Sequence, residues 1–301
     1  MTTVIDSLEL RSWMHGARHF TLIDVLTEEC FKAQRLPGAR RASVYEVTFL
    51  DQIAALSISP EDHLILYGAG DGSLDCEVAA EKLQRAGFRN IYLFSGGRAE
   101  WARTGGLFEG DGPLNCVPTT PEDKQYLVNP KRSSLEWMGR NLNSTHHGTV
   151  GISKGHLTIA GGSLVEGQIV LDMCSIENTD LADPLMRKLL EMHLKSDDFF
   201  DVERFPTAEI DLLSANRLLN ATQGTPNCQI SANLTLKSVC HPITFPAIIA
   251  LGEDGALTTT AQIEIDRTQW NVLYGSGRFF KMLGKHLVND AITLIVKVVA
   301  E

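Results

Sequence analysis

The chain has no two cysteines placed to share a metal or a dithiol couple. Its six cysteines, Cys30, Cys76, Cys116, Cys174, Cys228 and Cys240, are scattered with no CxxC and no Cys/His ligand spacing. Free thiols and no metal site are therefore expected. Nowhere do eighteen apolar residues run together, so no transmembrane segment is expected and any contact with lipid must come from a folded domain. The first twenty residues interleave charges with apolar residues and hold no signal-peptide core, from which a cytoplasmic location is expected. Positive charge is in short supply: 27 Lys and Arg stand against 37 Asp and Glu, a formal charge of −10, with no long basic cluster. Nucleic acid is accordingly not expected as a partner. Internal repeats and low-complexity tracts are missing too.

What is present suffices for two globular units, since 301 residues at 44% hydrophobic content can bury two cores. The stretch from Phe108 to Lys124 collects Gly, Pro, Thr and acidic residues without helix or strand periodicity, as a linker does. The expected domains are 1–108 and 124–301, joined by a linker over 109–123. Upstream, apolar runs at Phe20 to Val25, His63 to Tyr67 and Asn90 to Phe94 alternate with helical patterns, the clearest at Glu77 to Gly87. That pattern predicts a parallel sheet flanked by helices. Downstream, period-two alternation dominates, in Leu135 to Arg140, Leu164 to Met173, Ala208 to Leu213, Gln229 to Lys237, Ile243 to Leu251, Leu257 to Asp266 and Asp290 to Val299. Inward positions such as Ile230, Ala232, Leu234 and Leu236 suit a closed antiparallel barrel with an apolar lumen. Leu185, Leu189 and Met192 recur at helical spacing behind Pro184, which predicts a short helix plugging something apolar.

The runs Leu22 to Phe31, Leu36 to Ala39, Leu64 to Gly68 and Leu93 to Leu107 together resemble the rhodanese-like family, an α/β domain whose active cysteine follows the central strand and carries a persulfide. The resemblance puts that cysteine at Gly68, where no side chain can hold sulfur. The loop Gly68, Ala69, Gly70, Asp71, Gly72, Ser73 is degenerate, and no catalytic residue is assigned. Cys76 is the one nearby substitute. A helix N-terminus would lower its pKa, whereas Asp71, Asp75 and Glu77 would raise it, and a buried helix cysteine commonly packs as a small hydrophobe. The glycines would permit an anion-binding nest or simply a turn, and the aspartates favour the turn or a partner-facing surface.

From Tyr126 to the end, the motifs YLVNPKRSSLEWMGR, HHGTV, HLKSDDFFDVERFPTA, LTLKSVCHPITFP and IDRTQWNVLYGSGRFFKMLGKHLVNDAITLIVKV resemble the YceI-like family of polyisoprenoid-binding, lipocalin-like barrels. The resemblance implies about eight antiparallel strands around an isoprenoid lipid or quinone, with no cofactor required, and a homodimer through the barrel. Phe199, Phe200, Trp270, Phe279, Phe280 and Met282 are the candidates for the lumen wall or mouth, although each could equally fill core. His146, His147, His193, Ser196 and Arg278 could donate to a headgroup, and adjacency on a strand lets only one of His146 and His147 face inward. Two other readings remain open: a sulfurtransferase with Cys76 as persulfide carrier and the barrel recruiting substrate, or two interaction modules with a filled lumen.

Overall fold

Short apolar runs make the strands of the first half. In the computed structural model, described for residues 2–112, 120–141, 143–219, 221–222, 224–252 and 254–301, β1 (Thr3–Val4), β2 (Thr21–Asp24), β3 (Arg40–Arg41), β4 (Leu64–Tyr67) and β5 (Ile91–Phe94) pair in parallel in the order β1-β5-β4-β2-β3. β4 is buried at every position, as a central strand covered on both faces must be. Its alternate residues feed two clusters, Leu64 and Leu66 on one face and Ile65 and Tyr67 on the other. The helices are α1 (Ser7–His15), α2 (Glu28–Ala33), α3 (Phe49–Ala55), α4 (Asp75–Arg85) and α5 (Gly97–Arg103). α4 buries Cys76, Ala79, Ala80 and Leu83, one stripe at i, i+3, i+4, i+7 spacing. The chain divides into two compact units, Met1–Val117 and Pro118–Glu301. The middle of the expected linker, residues 113–119 with Cys116, lies outside the described residues.

The second unit closes on itself. β7 (Ser134–Arg140), β8 (Thr145–Ala160), β9 (Ser163–Asn178), β10 (Thr207–Arg217), β11 (Cys228–Leu236), β12 (Val239–Leu251), β13 (Leu257–Asp266) and β14 (Ala291–Ala300) each pair antiparallel with the next, and β14 returns to β7. β6 (Gln125–Leu127) runs ahead of β7 beside the far end of β8. β11 shows the alternation that makes a lumen: Cys228, Ile230, Ala232, Leu234 and Leu236 point inward and are buried, with half-buried residues between them. β8 lacks that regularity because Gly148, Gly151 and Gly155 interrupt it. Those gaps permit close approach. A Cβ on Gly148 would collide with the Glu177 carbonyl and lie 2.7 Å from the Trp137 ring, and one on Gly155 would lie 2.5 Å from the Gln168 carbonyl oxygen. The pairing with β9 shifts register at Thr149/Gly151 and Ile152/Lys154, which bends the ribbon into the barrel wall. Gly161 and Gly162, both at positive φ, make the two-residue turn from β8 into β9.

Helix α6 (Pro184–Lys195) starts at Asp183, whose carboxylate accepts the Leu185 and Met186 N–H groups at 2.8 and 3.4 Å. Its plug face differs from the expected one. Leu185, Leu189 and Met192 are exposed along with Met186, whereas Leu190 and Leu194 pack on the barrel core. Leu190 and Leu194 form their own i, i+4 pair, so two apolar stripes share this helix and spacing alone does not tell them apart.

After β13, a 3-10 turn over Arg267–Trp270 carries the deepest charge in the barrel. Arg267 is fully buried and donates from Nε to Asn289 O at 3.0 Å, from Nη1 to Val272 O at 2.6 Å and from Nη2 to Val288 O at 3.1 Å. Desolvating a guanidinium costs several kcal/mol, and charge-assisted bonds return about 1.5–3 kcal/mol each, so three carbonyls largely offset the burial. The side chain ties both ends of the 272–288 loop to the barrel.

Candidate functional site

A cavity of about 320 Å³ lies inside the barrel. Leu135, Val150, Leu171, Ile176, Leu234 and Leu236 supply much of its apolar wall, from β7, β8, β9 and β11. Phe199, Phe200, His193 and Tyr274 stand at the α6 side. The His193 and Tyr274 rings meet edge to face at 4.5 Å, and Phe199 lies 5.0 Å from His193 and 5.2 Å from Tyr274. This group is held from behind by Lys237, whose Nζ donates to the Phe199 carbonyl at 2.7 Å. Lys237 and Ser238 both adopt positive φ in the tight β11–β12 turn, a strain of the kind found where a side chain must be aimed.

His146 faces the cavity and His147 faces solvent. The His146 Nδ1 lies 2.9 Å from Asp180 Oδ2, and its Nε2 lies 3.4 Å from Ser144 Oγ. Burial pushes the Asp180 carboxyl up, but the His147 N–H, the His146 ring and the Asn178 amide outweigh it and hold the group at about 2.

Of the nine expected ligand-binding residues, His146, His193, Phe199 and Phe200 line the cavity, and the other five require correction. Trp270 is core: it is 1% exposed, its indole donates to Leu234 O at 2.9 Å, and its ring meets His241 edge to face. Phe279, Phe280 and Met282 are exposed on the 272–288 loop, Met282 fully so, and His147 points outward by strand alternation. Among the other headgroup candidates, Arg278 is taken by Asp266 at 2.7 Å and Asp290 at 3.2 Å, and Ser196 Oγ donates to the His193 carbonyl. Trp137, Arg140, Arg267, Tyr274 and His286 line the cavity without having been expected to. Trp137 shares strand parity with Leu135, which was signal enough to find it.

In the first unit, the loop after β4 is already filled. The Asp75 carboxylate turns back to accept the Ala69 N–H at 2.9 Å and the Tyr45 hydroxyl. Burial raises its pKa, yet these bonds and Ser73 bring it below the usual carboxylate range. Gly70, Asp71 and Gly72 take positive φ to make the turn, and a Cβ on Gly68 would lie 2.6 Å from Asp75. Cys76 is 3% exposed within the sheet core, and burial, helped by the charges of Glu77 and Asp75, pushes its thiol up to about 12.

The sequence profile of the YceI-like domain matches residues 126–300, well over half of the chain. The chain belongs to the YceI-like domain family. A rhodanese-like domain profile matches residues 7–104, so the two domains are fused in one chain. Among solved structures the YceI-like half is similar to BcnA of Burkholderia cenocepacia, at 20% identity over 58% of this chain and 99% of that one, with a TM-score of 0.46. It is also similar to a polyisoprenoid binding domain from Saccharophagus degradans implicated in plant cell wall breakdown, at 14% identity over 58% and 97% of the chains, with a TM-score of 0.42. The rhodanese-like half is similar to the rhodanese-like domain of the Alr3790 protein of Anabaena sp., at 27% identity over 41% and 89% of the chains, with a TM-score of 0.34. No curated protein sequence matches the chain.

In this YceI-like barrel, Asp180 titrates well below its ordinary 3.8 and so contributes stability that is present above pH 4 and lost as pH falls towards 2. Urea midpoints measured across that window should fall steeply for the wild type and more gently for Asp180→Asn, which should also be the less stable protein at pH 7. In the rhodanese-like domain, Gly68→Cys should form no persulfide and should destabilise by about 1–3 kcal/mol in urea unfolding, because its Cβ overlaps Asp75. Asp75→Gly relieves the overlap but strips the Ala69 N–H and the Tyr45 hydroxyl of their partner, so the double variant should lose less than the sum of the two single changes.

Proposed function

We propose that the protein is a carrier that sequesters an isoprenoid lipid, quinone-like or polyprenyl, in its barrel, while the rhodanese-like domain serves docking or regulation. The observation that carries the reading is the cavity itself, about 320 Å³ and walled chiefly by Leu, Ile, Val, Met and Phe, within the range of small-molecule sites. Burying apolar chain at about 25 cal/mol per Å² gives roughly 7 kcal/mol for each 300 Å² removed from water, before the cost of ordering the chain. Capture by burial needs neither a catalytic group nor a cofactor. A lumen of this size also disfavours the reading in which side chains fill the barrel.

The sulfurtransferase alternative needs a thiolate, and Cys76 is a poor candidate for one: it is buried, and its pKa of about 12 leaves almost no thiolate at neutral pH. Asp75 in the loop supports a domain that binds partners rather than sulfur. A cytoplasmic setting belongs to the same reading, as does a homodimer through the barrel. The exposed Leu185, Met186, Leu189 and Met192 offer that dimer an apolar face. Light scattering should give twice the chain mass, and a monomer at micromolar concentration would remove the dimer from the reading.

Protein purified under mild conditions, extracted with organic solvent and analysed by mass spectrometry should yield close to one isoprenoid per chain. Ala208→Phe, which enlarges a buried wall residue, should retain the melting temperature and lower lipid content and affinity by about tenfold. An empty extract together with no uptake of added quinone or polyprenol would overturn the carrier.

A further inference from the structure

The polar end of the ligand can be read from the polar side chains that line the cavity, an inference that rests on the lipid-binding reading. Among the described residues the wall holds two arginines, Arg140 and Arg267, and three histidines, His146, His193 and His286, with no aspartate or glutamate. The chain as a whole has 37 acidic against 27 basic residues, so composition does not produce this excess. Arg140, His146 and His286 also gather at one rim. There the β7–β8 hairpin meets the 272–288 loop, through a bridge between Asn141 and Val288 and the Asn289 N–H donating to Arg140 O at 2.8 Å.

Most of these side chains have a carboxylate behind them. His146 has Asp180 at 2.9 Å, His193 has Asp198 at 3.4 Å, and Arg267 has Asp290 at 3.7 Å. Arg140 is different: among the described residues it forms no ion pair, and its guanidinium reaches only Thr293 Oγ1 at 3.4 Å and the Met138 sulfur at 3.8 Å. Two further wall residues, Arg267 and Trp137, are donors only. Arg267 spends three of its five N–H groups on carbonyls. Trp137 keeps a buried indole N–H without an acceptor. The Asn141 side-chain oxygen already takes the Asn143 and Ser144 N–H groups at 2.8 and 2.7 Å.

A hydroxyl or a quinone carbonyl offers the Arg140 guanidinium one neutral oxygen and no counter-charge. A carboxylate or phosphate is acceptor-only and charged, and matches the guanidinium fork in two-point geometry. We propose that the cavity takes an amphiphile with an anionic head, a carboxylate or a phosphate monoester, bound at the rim by Arg140 beside His146 and His286, with its apolar chain running inward past Leu171 and Leu234.

The test compares ligands with one tail and different heads on the delipidated full-length protein: farnesyl phosphate, farnesoic acid and farnesol, measured by calorimetry at low salt. Both anions, or one of them, should bind roughly tenfold or more tightly than farnesol, with the advantage shrinking as salt is raised. The stronger anion identifies the head. Arg140→Gln should bring the anions down to the level of farnesol, and Arg140→Lys should keep part of their advantage. Arg140 is exposed and forms no ion pair among the described residues, so melting temperatures should stay close to the wild type. Farnesol binding as tightly as both anions, or an advantage that survives in Arg140→Gln, would overturn the headgroup assignment and leave the carrier standing. Failure of all three ligands to bind would instead overturn the carrier reading.

Discussion

Closure of the barrel is the constraint on which the site depends. Eight strands share every edge with a neighbour, and the place where this is hardest is the seam at β8, which must pair with β7 at one end and with β9 along nearly all its length. Two long antiparallel strands coil strongly, and side chains on the concave side would be driven into the facing backbone. Gly148 and Gly155 remove the Cβ atoms where that happens, one against Glu177 and Trp137, the other against Gln168. The same glycines weaken β8 as an independent strand, because they lack the branched side chains that favour extended backbone. The strand is therefore held by its two neighbours. An apolar lumen follows from closure: once every strand has an inside, its alternate residues need no solvent, and β11 can present five small or aliphatic side chains in a row to the interior.

A closed barrel still needs ends. At the end nearest α6, the chain uses a buried charge rather than more hydrocarbon. Arg267 gathers the carbonyls of Val272, Val288 and Asn289, so the long loop between β13 and β14 leaves and returns at fixed points although its middle, with Phe279, Phe280 and Met282, is exposed. Across the mouth, Lys237 holds the Phe199 carbonyl from a turn whose two residues both sit at positive φ. Two cations thus position the aromatic group of Phe199, His193 and Tyr274. Each donates to carbonyl oxygens, an acceptor that irregular backbone always offers.

This arrangement explains what was legible in the sequence. Strands with branched alternation, such as Gln229 to Lys237 and Leu257 to Asp266, announced themselves, and so did the two-domain order of a parallel sheet followed by an antiparallel barrel. β8 showed only its start at His146 and His147, since the glycines that let it close the barrel erase the alternation beyond them. The wall was harder to read than the strands. Phe279 and Phe280 look like wall residues because they are aromatic, but a loop has no parity to say where they point, whereas Trp137 inherits its direction from Leu135 two residues earlier. Trp270 was misplaced for a related reason: its 3-10 turn rotates it into the packed layer behind the lumen, where Leu234 O accepts its N–H. Arg267 could not be found by hydropathy at all, because its burial depends on carbonyls contributed from residues 272 to 289.

The rhodanese-like domain completes the argument from the opposite direction. A glycine at position 68 could by itself leave an empty cradle of N–H groups. The loop is not empty: Asp75 supplies a carboxylate to the Ala69 N–H and the Tyr45 hydroxyl, occupying the space that a Gly68 side chain would claim. The two residues are coupled sterically, because a β-carbon at 68 and the carboxylate of 75 cannot share 2.6 Å. The carboxylate also satisfies a donor that would otherwise want an anion, so the loop gains a fixed shape without any ligand. The geometry of the loop is thus fixed from within the domain, by a carboxylate on α4 and a hydroxyl at Tyr45.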